Sequence, residues 1–370
     1  LLHHPANTFL LKNLQRWRAD NIRPYADGAT ESPSGNFGAS TMHHQTFTIL
    51  YTLGQWEDTM IDPYGRTIDY LRLSITDGCN YRCQYCMPPA APTQGGSLSP
   101  EEFVGICAAA VKLGVKKIRI TGGEPLLHPE ILPICQAVAG IPGLQELCLT
   151  TNGKLLPALA KPLKEAGVSR LNISLDTLQP DRFTAITRLG RLEDVLSGIR
   201  AAEEAGFGNL KLNAVLMGGI NDDEIGDFLA LTQAHPWQVR FIELMPMGPC
   251  GNWPKERFLP VTEVLARFPE LEPLPPEGVA RQYRLPGAQG TVGLIAPLSH
   301  SFCSQCRRIR VTAEGNLKGC LHSREEIPLA GLRGEALEQA IAQGIRQKPR
   351  SHHLTEHPSD ANRNMNQIGG

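Results

Sequence analysis

The sequence predicts an α/β fold: an incomplete (β/α)6 barrel of the TIM type, followed by a smaller C-terminal region. Three observations predict it. Six short apolar runs with period-two alternation recur between Tyr70 and Met245, with helical spacing between them. Glycines stand where those helical stretches stop, at Gly114, Gly140, Gly167 and Gly206. The residues able to do chemistry gather where the runs end, as they do at the C-terminal mouth of parallel barrels. Six such units imply parallel strands with helices outside, short of the eight that close a barrel.

In chain order, residues 1–59 carry little pattern, and 27–40 is rich in Gly, Ser and Asn. They are read as an extension, disordered or not native, with Met60 as the natural start. Strands are expected at Tyr70–Ile75, Lys116–Thr121, Gln145–Thr150, Arg170–Leu175, Leu210–Met217 and Gln238–Met245. The first helix opens with a capping box, Ser99 with Glu102, and Pro100 in its first turn. Later helices fit Pro129–Ala139, Leu155–Ala166, Leu192–Ala205 and Asp222–Ala234. The barrel is assigned to 60–248 and a second region to 249–370. That region has a short helix at Thr262–Phe268, a Pro-rich link at Pro269–Pro276, and strands near Tyr283–Leu285 and Thr291–Ile295.

The chain has 370 residues, a net charge of −1 and a sequence pI of about 6.9. No global field recruits nucleic acid or an anionic membrane, so an anionic ligand needs a local cationic cluster. No apolar run approaches the ~20 residues of a membrane span. Ten cysteines without a signal-peptide pattern point to thiolates on metal in a reducing cytoplasm.

Six of those cysteines form two groups. After the first strand, Asp77-Gly78 breaks the alternation, and Cys79, Cys83 and Cys86 follow at Cys-x3-Cys-x2-Cys spacing. A four-iron cluster usually takes four cysteines. Three leave one iron open to a further ligand, as an open zinc position accepts water. After the second strand comes Gly122-Gly123-Glu124-Pro125, where glycines let backbone approach closely. Strand ends at Thr150-Thr151-Asn152-Gly153 and Ser174-Leu175-Asp176 follow in register.

The second group is Cys303, Cys306 and Cys320, at Cys-x2-Cys-x13-Cys spacing. Ile309, Val311 and a turn at Glu314-Gly315 make a hairpin that returns Cys320 to the first pair. Spacing alone leaves structural zinc, with His322 or His300 as fourth ligand, level with an iron–sulfur cluster. Arg308 and Arg310 alternate on one face, where two guanidinium forks match phosphate oxygens. The plainer reading is a charged edge strand.

The first cysteine loop and the Gly-Gly-Glu-Pro run resemble those of the radical S-adenosylmethionine (SAM) superfamily. With the Arg240–Met245 strand, the second cysteine group and the tail Asn364-Met365-Asn366-Gln367-Ile368-Gly369-Gly370, residues 60–370 resemble the molybdenum-cofactor biosynthesis protein A family, the GTP 3′,8-cyclases. The resemblance implies two [4Fe-4S] clusters and SAM as cofactors. Cys79, Cys83 and Cys86 would hold the first cluster, and Cys303, Cys306 and Cys320 an auxiliary one whose free iron takes the guanine base. Tyr85, Gly122, Gly123, Glu124, Ser174 and Met245 would contact SAM. Arg72, Lys117, Arg119, Thr150, Lys211, Arg240, Arg308, Ile309 and Arg310 would line the GTP site. Arg72, Lys117, Arg119, Arg308, Arg310, Gly369 and Gly370 would serve the reaction.

The reaction implied is cleavage of SAM to a 5′-deoxyadenosyl radical, removal of H3′ from GTP, attack of C3′ on C8, and reduction to 3′,8-cyclo-7,8-dihydro-GTP. Implied partners are GTP, an electron donor such as flavodoxin or ferredoxin, and a downstream cyclic pyranopterin monophosphate synthase. Neither nucleic acid nor membrane is among them, and a homodimer stays open. Rival readings are a different radical SAM enzyme with an auxiliary cluster, such as a peptide modifier, and a non-catalytic iron–sulfur or zinc protein. Two departures from the family stand out: Arg307 follows the second cysteine where Asn is usual, and residues 1–59 have no counterpart.

Overall fold

The alternating runs fold as β1 (Tyr70–Ser74), β2 (Lys117–Thr121), β3 (Glu146–Thr151), β4 (Arg170–Ser174), β5 (Lys211–Leu216) and β6 (Gln238–Glu243), each end within two residues of the sequence reading. The computed structural model describes residues 60–90, 97–354 and 359–369; the extension expected at 1–59, and Gly370, lie outside the described residues. Between the strands lie helices at Pro100–Leu113, Ile131–Ala139, Leu156–Glu165, Leu192–Glu204 and Ile225–Ala234, as expected, and a further helix at Pro180–Thr187. The capping box is made: the Glu102 amide donates to Ser99 Oγ (3.3 Å) and the Ser99 amide to Glu102 Oε2 (3.1 Å). Of the four helix-stop glycines, Gly114, Gly167 and Gly206 have positive φ, whereas Gly140 ends its helix in right-handed geometry (φ −76°).

The six central strands are only the middle of the sheet. C-terminal strands β7 (Glu272–Glu277), β8 (Ala280–Arg284), β9 (Thr291–Ile295), β10 (Arg308–Val311), β11 (Asn316–Lys318) and β12 (Ile327–Pro328) extend it on both sides, in the order β12-β11-β10-β1-β2-β3-β4-β5-β6-β9-β8-β7. Every pair from β10 through β1 to β6 and β9 is parallel, and antiparallel strands flank both ends. Two sequence expectations are corrected here. The Pro-rich link at 269–276 is largely strand β7, tolerated because β7 is an edge strand and needs no donor on its outer side. And β10, weighed as a charged edge strand, is interior, paired to β1 on one side and β11 on the other.

Register sorts side chains onto two faces. The outward positions Leu71, Leu73, Ile118, Ile120, Leu147, Leu149, Leu171, Ile173, Leu212, Val239 and Phe241 are all buried and pack with the helices in one apolar cluster. Each such side chain contributes roughly 1.5–3 kcal/mol. The inward positions are polar. One row crosses Arg310, Arg72, Arg119, Cys148 and Arg170; another crosses Asn172, Lys211, Gln238 and Thr291; a third crosses Ser174, Asn213, Arg240 and Gly293. A sheet whose inner face is charged over several strands is suited to a polar ligand rather than to apolar packing, and the side it faces is the chamber of this fold.

A buried ion pair ties the start of the described chain to this chamber. Arg66 Nε meets Asp62 Oδ2 at 2.5 Å, with side chains 4% and 0% exposed. The same guanidinium donates to the carbonyls of Cys303 (2.8 Å), Arg350 (3.0 Å) and Pro349 (2.7 Å). Arg66→Ala would leave buried Asp62 without its cation and three carbonyls without their donor, with an expected loss of about 3–5 kcal/mol. Chemical denaturation checks this; a loss within the range of an exposed ion pair would refute the role.

Candidate active site

The first cysteine loop is held at the C-terminal end of β1 by contacts from neighbouring strand ends. Gly123 and Glu124 donate their amides to Thr76 O (2.7 Å) and Gly78 O (2.8 Å). A Cβ on Gly122 would come within 2.6 Å of Thr76 O, and one on Gly123 would run into the Gly78 and Asp77 carbonyls. Close approach of the two loops therefore requires both glycines. Glu124 is buried and accepts from Leu126 N (3.0 Å), Thr151 Oγ1 (2.7 Å) and Asn152 N (2.7 Å), latching the ends of β2 and β3 together. Tyr85, within the cysteine loop, donates to Asp176 Oδ2 (2.7 Å) at the end of β4, and Val215 N donates to the other oxygen (2.9 Å). Ser174 sits level with Asn213 of β5, and the Met245 carbonyl caps the turn after β6, accepting from Met247 N at 2.8 Å.

The second cysteine group lies at the opposite end of the same strand pair. β10 runs parallel to β1 with Arg308 level with Tyr70, so Cys306 precedes β10 while Cys79 follows β1. The antiparallel return of β11 brings Cys320 back toward the level of Arg308, two residues from Cys306, as the hairpin reading expected. Between the two ends lie about four residues, or roughly 13 Å of strand. Lys348 knits this end: its Nζ donates to Gly319 O (2.6 Å) and Arg308 O (2.8 Å) and lies 3.5 Å from Cys306 Sγ. His322, weighed as a fourth zinc ligand, is bonded through Nδ1 to Ser359 Oγ (3.0 Å), and His300 is exposed.

The two groups sit in opposite electrostatic settings. Burial drives all three thiols of the first loop up, Cys79 to about 11 and Cys86 to about 12, with Glu124 adding to Cys79 and Asp176 to Cys83 and Cys86. Such thiols stay neutral until a metal ion takes the proton's place. In the second group burial also pushes upward but is outweighed. Hydrogen bonds from His352 and Ser301 bring Cys303 down to about 6, and the Arg308 and Lys348 charges bring Cys306 down to about 7. Among the described residues no three His, Cys, Asp or Glu side chains are drawn in to metal-ligand spacing. Three thiols on one short loop, and three on one hairpin, are donor sets whose chemistry fits iron–sulfur ligation.

The chamber between is cationic. Arg310 Nη1 donates to Gly369 O (2.6 Å) and Arg72 Nε to the same carbonyl (3.2 Å), so the tail enters the chamber at the Arg72–Arg310 row. A Cβ on Gly369 would collide with Thr121 Oγ1, and its φ is +70°. Asn366 anchors the tail by donating to Asp77 O (3.0 Å) in the first cysteine loop. Arg119 donates to Tyr70 OH (2.6 Å) and Thr150 Oγ1 (3.3 Å), and Lys117 pairs with Glu146 (2.5 Å). Burial pushes Arg72 down to about 10, helped by Arg119 and Arg308, and pushes Arg310 well down, helped by Arg72 and Arg308. Ile309 faces the other way: it is 1% exposed in the apolar cluster, leaving only its backbone for a ligand. Arg307 also points away, to an ion pair with Asp69.

Several chamber residues were not singled out in the sequence. Arg170, Asn172 and Asn213 occupy inward positions, and period-two alternation within β4 and β5 could have found them. The amide oxygens Asn172 Oδ1 and Asn213 Oδ1 are buried without a hydrogen-bond partner, so they fit donors of a bound molecule. Glu277, the last residue of β7, reaches Arg170 (2.8 Å), Lys211, Gln238 (3.0 Å) and Arg240 (3.3 Å). No local pattern announces Glu277, Lys348 or Arg66.

Residues 73–232 match the family model described as radical SAM superfamily, and 237–354 that described as Molybdenum Cofactor Synthesis C. The GTP 3′,8-cyclase of Alkaliphilus oremlandii is 47% identical over 320 residues, covering 84% of this chain and 100% of that protein. The GTP 3′,8-cyclase of Geobacter sulfurreducens is 45% identical over 328 residues, covering 84% and 99%. The chain belongs to the GTP 3′,8-cyclase family. Among solved structures, Streptococcus suis SuiB bound to the precursor peptide SuiA superposes with a TM-score of 0.55 at 14% identity, covering 98% of this chain and 89% of that one. That likeness shows a shared fold: a partial barrel with a C-terminal auxiliary region. Membership in the GTP 3′,8-cyclase family fits use of SAM and iron–sulfur chemistry. No helix of the described residues is long and apolar enough to cross a membrane.

Gly123→Ala should displace the first cysteine loop while sparing the second. Reconstituted protein is expected to hold about four irons rather than about eight, with a loss of roughly 1–3 kcal/mol in stability. Iron analysis showing full loading would contradict the close-approach argument.

Proposed function

We propose that this chain converts GTP to (8S)-3′,8-cyclo-7,8-dihydroguanosine 5′-triphosphate, the first step of molybdenum cofactor biosynthesis. The observation that carries the reading is the cationic chamber bounded at its two ends by three-cysteine groups. Cys79, Cys83 and Cys86 would hold a [4Fe-4S] cluster beside SAM, and Cys303, Cys306 and Cys320 a second one; together these groups supply the radical chemistry when bound.

The chain's own residues have four tasks. Tyr85, Gly123, Ser174 and Met245, on strand ends around the first loop, would bind SAM. Arg72, Lys117, Arg119, Lys211, Arg240, Arg308 and Arg310 line the inner face and neutralise a triphosphate, which a chain of net charge −1 cannot attract globally. Asn172 and Asn213 offer unpartnered acceptors to hydroxyl or amino groups between the two ends. The Gly369 carbonyl, held by Arg72 and Arg310, closes the chamber beside them and excludes water. Holding both reactants in one enclosed space supplies the orientation that the ring closure needs.

An electron donor of flavodoxin or ferredoxin type and a synthase that consumes the cyclised nucleotide remain the expected partners, in a cytoplasmic setting. The domain division at 248/249 is proposed as a functional one, with the C-terminal part contributing the second cysteine group and the flanking strands.

Anaerobic incubation of reconstituted protein with GTP, SAM and reductant tests the reading: the cyclised nucleotide is expected, and SAM cleavage without it would overturn the assignment. Arg308→Ala should weaken GTP binding about tenfold or more while reductive SAM cleavage survives; unchanged GTP affinity would reject its role. Lys211 gives a pH test. Burial lowers its ammonium to about 8, with Arg240 adding to the shift and Glu277 opposing it. Phosphates would raise it, so binding takes up a proton. GTP affinity should be full below about pH 8 and fall as pH climbs through the raised value. Calorimetry on Lys211→Met should show a flatter profile; an equally steep one would exclude Lys211 as the titrating group.

A further inference from the structure

Glu277 is an acid in a place built for anions. Its carboxylate pairs with Arg170 Nη1 (2.8 Å), with Lys211 Nζ and with Arg240 Nη2 (3.3 Å), and accepts from Gln238 Nε2 (3.0 Å). These partners sit on the inner faces of three successive strands, β4, β5 and β6, and two of them, Lys211 and Arg240, belong to the cationic set assigned to the substrate. One side chain gathers three cations, as a phosphate group does. The charge–charge benefit runs both ways: burial alone would raise Glu277, yet Lys211, Gln238 and Arg240 hold it far below the usual carboxylate range.

Its attachment lies at the exposed side of the chamber, beside Arg170, which is 40% exposed. Lys211 and Arg240 side chains are 6% and 11% exposed, whereas Glu277 is 41% exposed. Glu277 ends β7, the outermost strand, where the β7–β8 ladder breaks register between Leu274 and Glu277. The turn that follows has Gly278 at φ +62°, with open space where a Cβ would stand. The side chain can therefore swing to solvent without unpacking the core, while Lys211 and Arg240 cannot.

We propose that Glu277 is a built-in counter-ion for the phosphate site. It holds Arg170, Lys211 and Arg240 in place in the substrate-free chain, and the phosphates of an incoming nucleotide displace it. The inference rests on the nucleoside triphosphate reading above and adds to it a specific competitor for the same cations. The carboxylate offsets the mutual repulsion of the three cations when no ligand is bound, with Glu146 a second partner of Arg170 (2.6 Å), at the expense of affinity when one is. It also sets a charge threshold, because a ligand must bring more negative charge than one carboxylate to take its place.

The test is calorimetry on anaerobically reconstituted protein, wild type against Glu277→Gln, with GTP, inorganic tripolyphosphate and guanosine as titrants. Glu277→Gln should bind GTP and tripolyphosphate roughly fivefold to tenfold more tightly and guanosine unchanged. Its melting temperature without ligand should fall, and tripolyphosphate should restore it. Glu277→Asp, with the charge kept and the reach shortened, should give an intermediate gain and covers the case in which the Gln variant does not fold. Equal or weaker binding of GTP and tripolyphosphate by both variants would overturn the proposal. Wild-type protein that binds neither GTP nor tripolyphosphate would instead reject the nucleotide reading itself.

Discussion

The parallel pairing of β10 with β1 is the constraint on which the rest depends. With Arg308 level with Tyr70 and Arg310 level with Arg72, two segments more than two hundred residues apart become one continuous inner surface. That register places one cysteine group above the strands and the other below them. A slip by one residue would turn Arg308 and Arg310 into the apolar layer and Ile309 into the chamber. The arrangement is secured from outside the sheet by Arg66, which binds carbonyls of Cys303, Pro349 and Arg350, and by Lys348, which bridges Arg308 and Gly319.

The inner face runs against the ordinary economy of folding. Desolvating several guanidinium groups on adjacent strands is unfavourable: burial depresses Arg72 and Arg310, and neighbouring guanidinium charges add to it. Stability comes instead from the outward layer, where the same strands present Leu, Ile, Val and Phe to the helices. Alternation along each strand thus separates two duties: one face carries the fold and the other the chemistry. Within the chamber the charges are also divided. Carboxylates Glu124 and Asp176 attend the first cysteine group, while Arg308 and Lys348 attend the second, so the two ends differ in what they would stabilise.

Much of this was legible in the sequence, and the reason is local periodicity. Strands β1 to β6 were visible because their outward residues alternate with polar ones, and the capping box at Ser99 was visible because its partners are three residues apart. The cysteine groups were visible through spacing, and Arg308 and Arg310 through their shared face. What stayed hidden depends on long-range pairing. The Pro-rich run at 269–276 reads as a link, and only its position at the sheet edge makes it a strand. Glu277, Lys348 and Arg66 act across tens or hundreds of residues and carry no motif. Asn172 and Asn213 lie between; the alternation that revealed their strands also assigns them inward, but only the sheet shows that their amide oxygens lack partners.

The central claim is that both cysteine groups serve a single chamber, so that SAM at one end and the ribose of GTP can meet. Anaerobic turnover with GTP carrying deuterium at C3′ tests it most directly. Deuterium is expected in the recovered 5′-deoxyadenosine together with formation of the cyclised nucleotide. Deoxyadenosine free of deuterium, formed while GTP is bound, would show that the two ends do not share a reaction space.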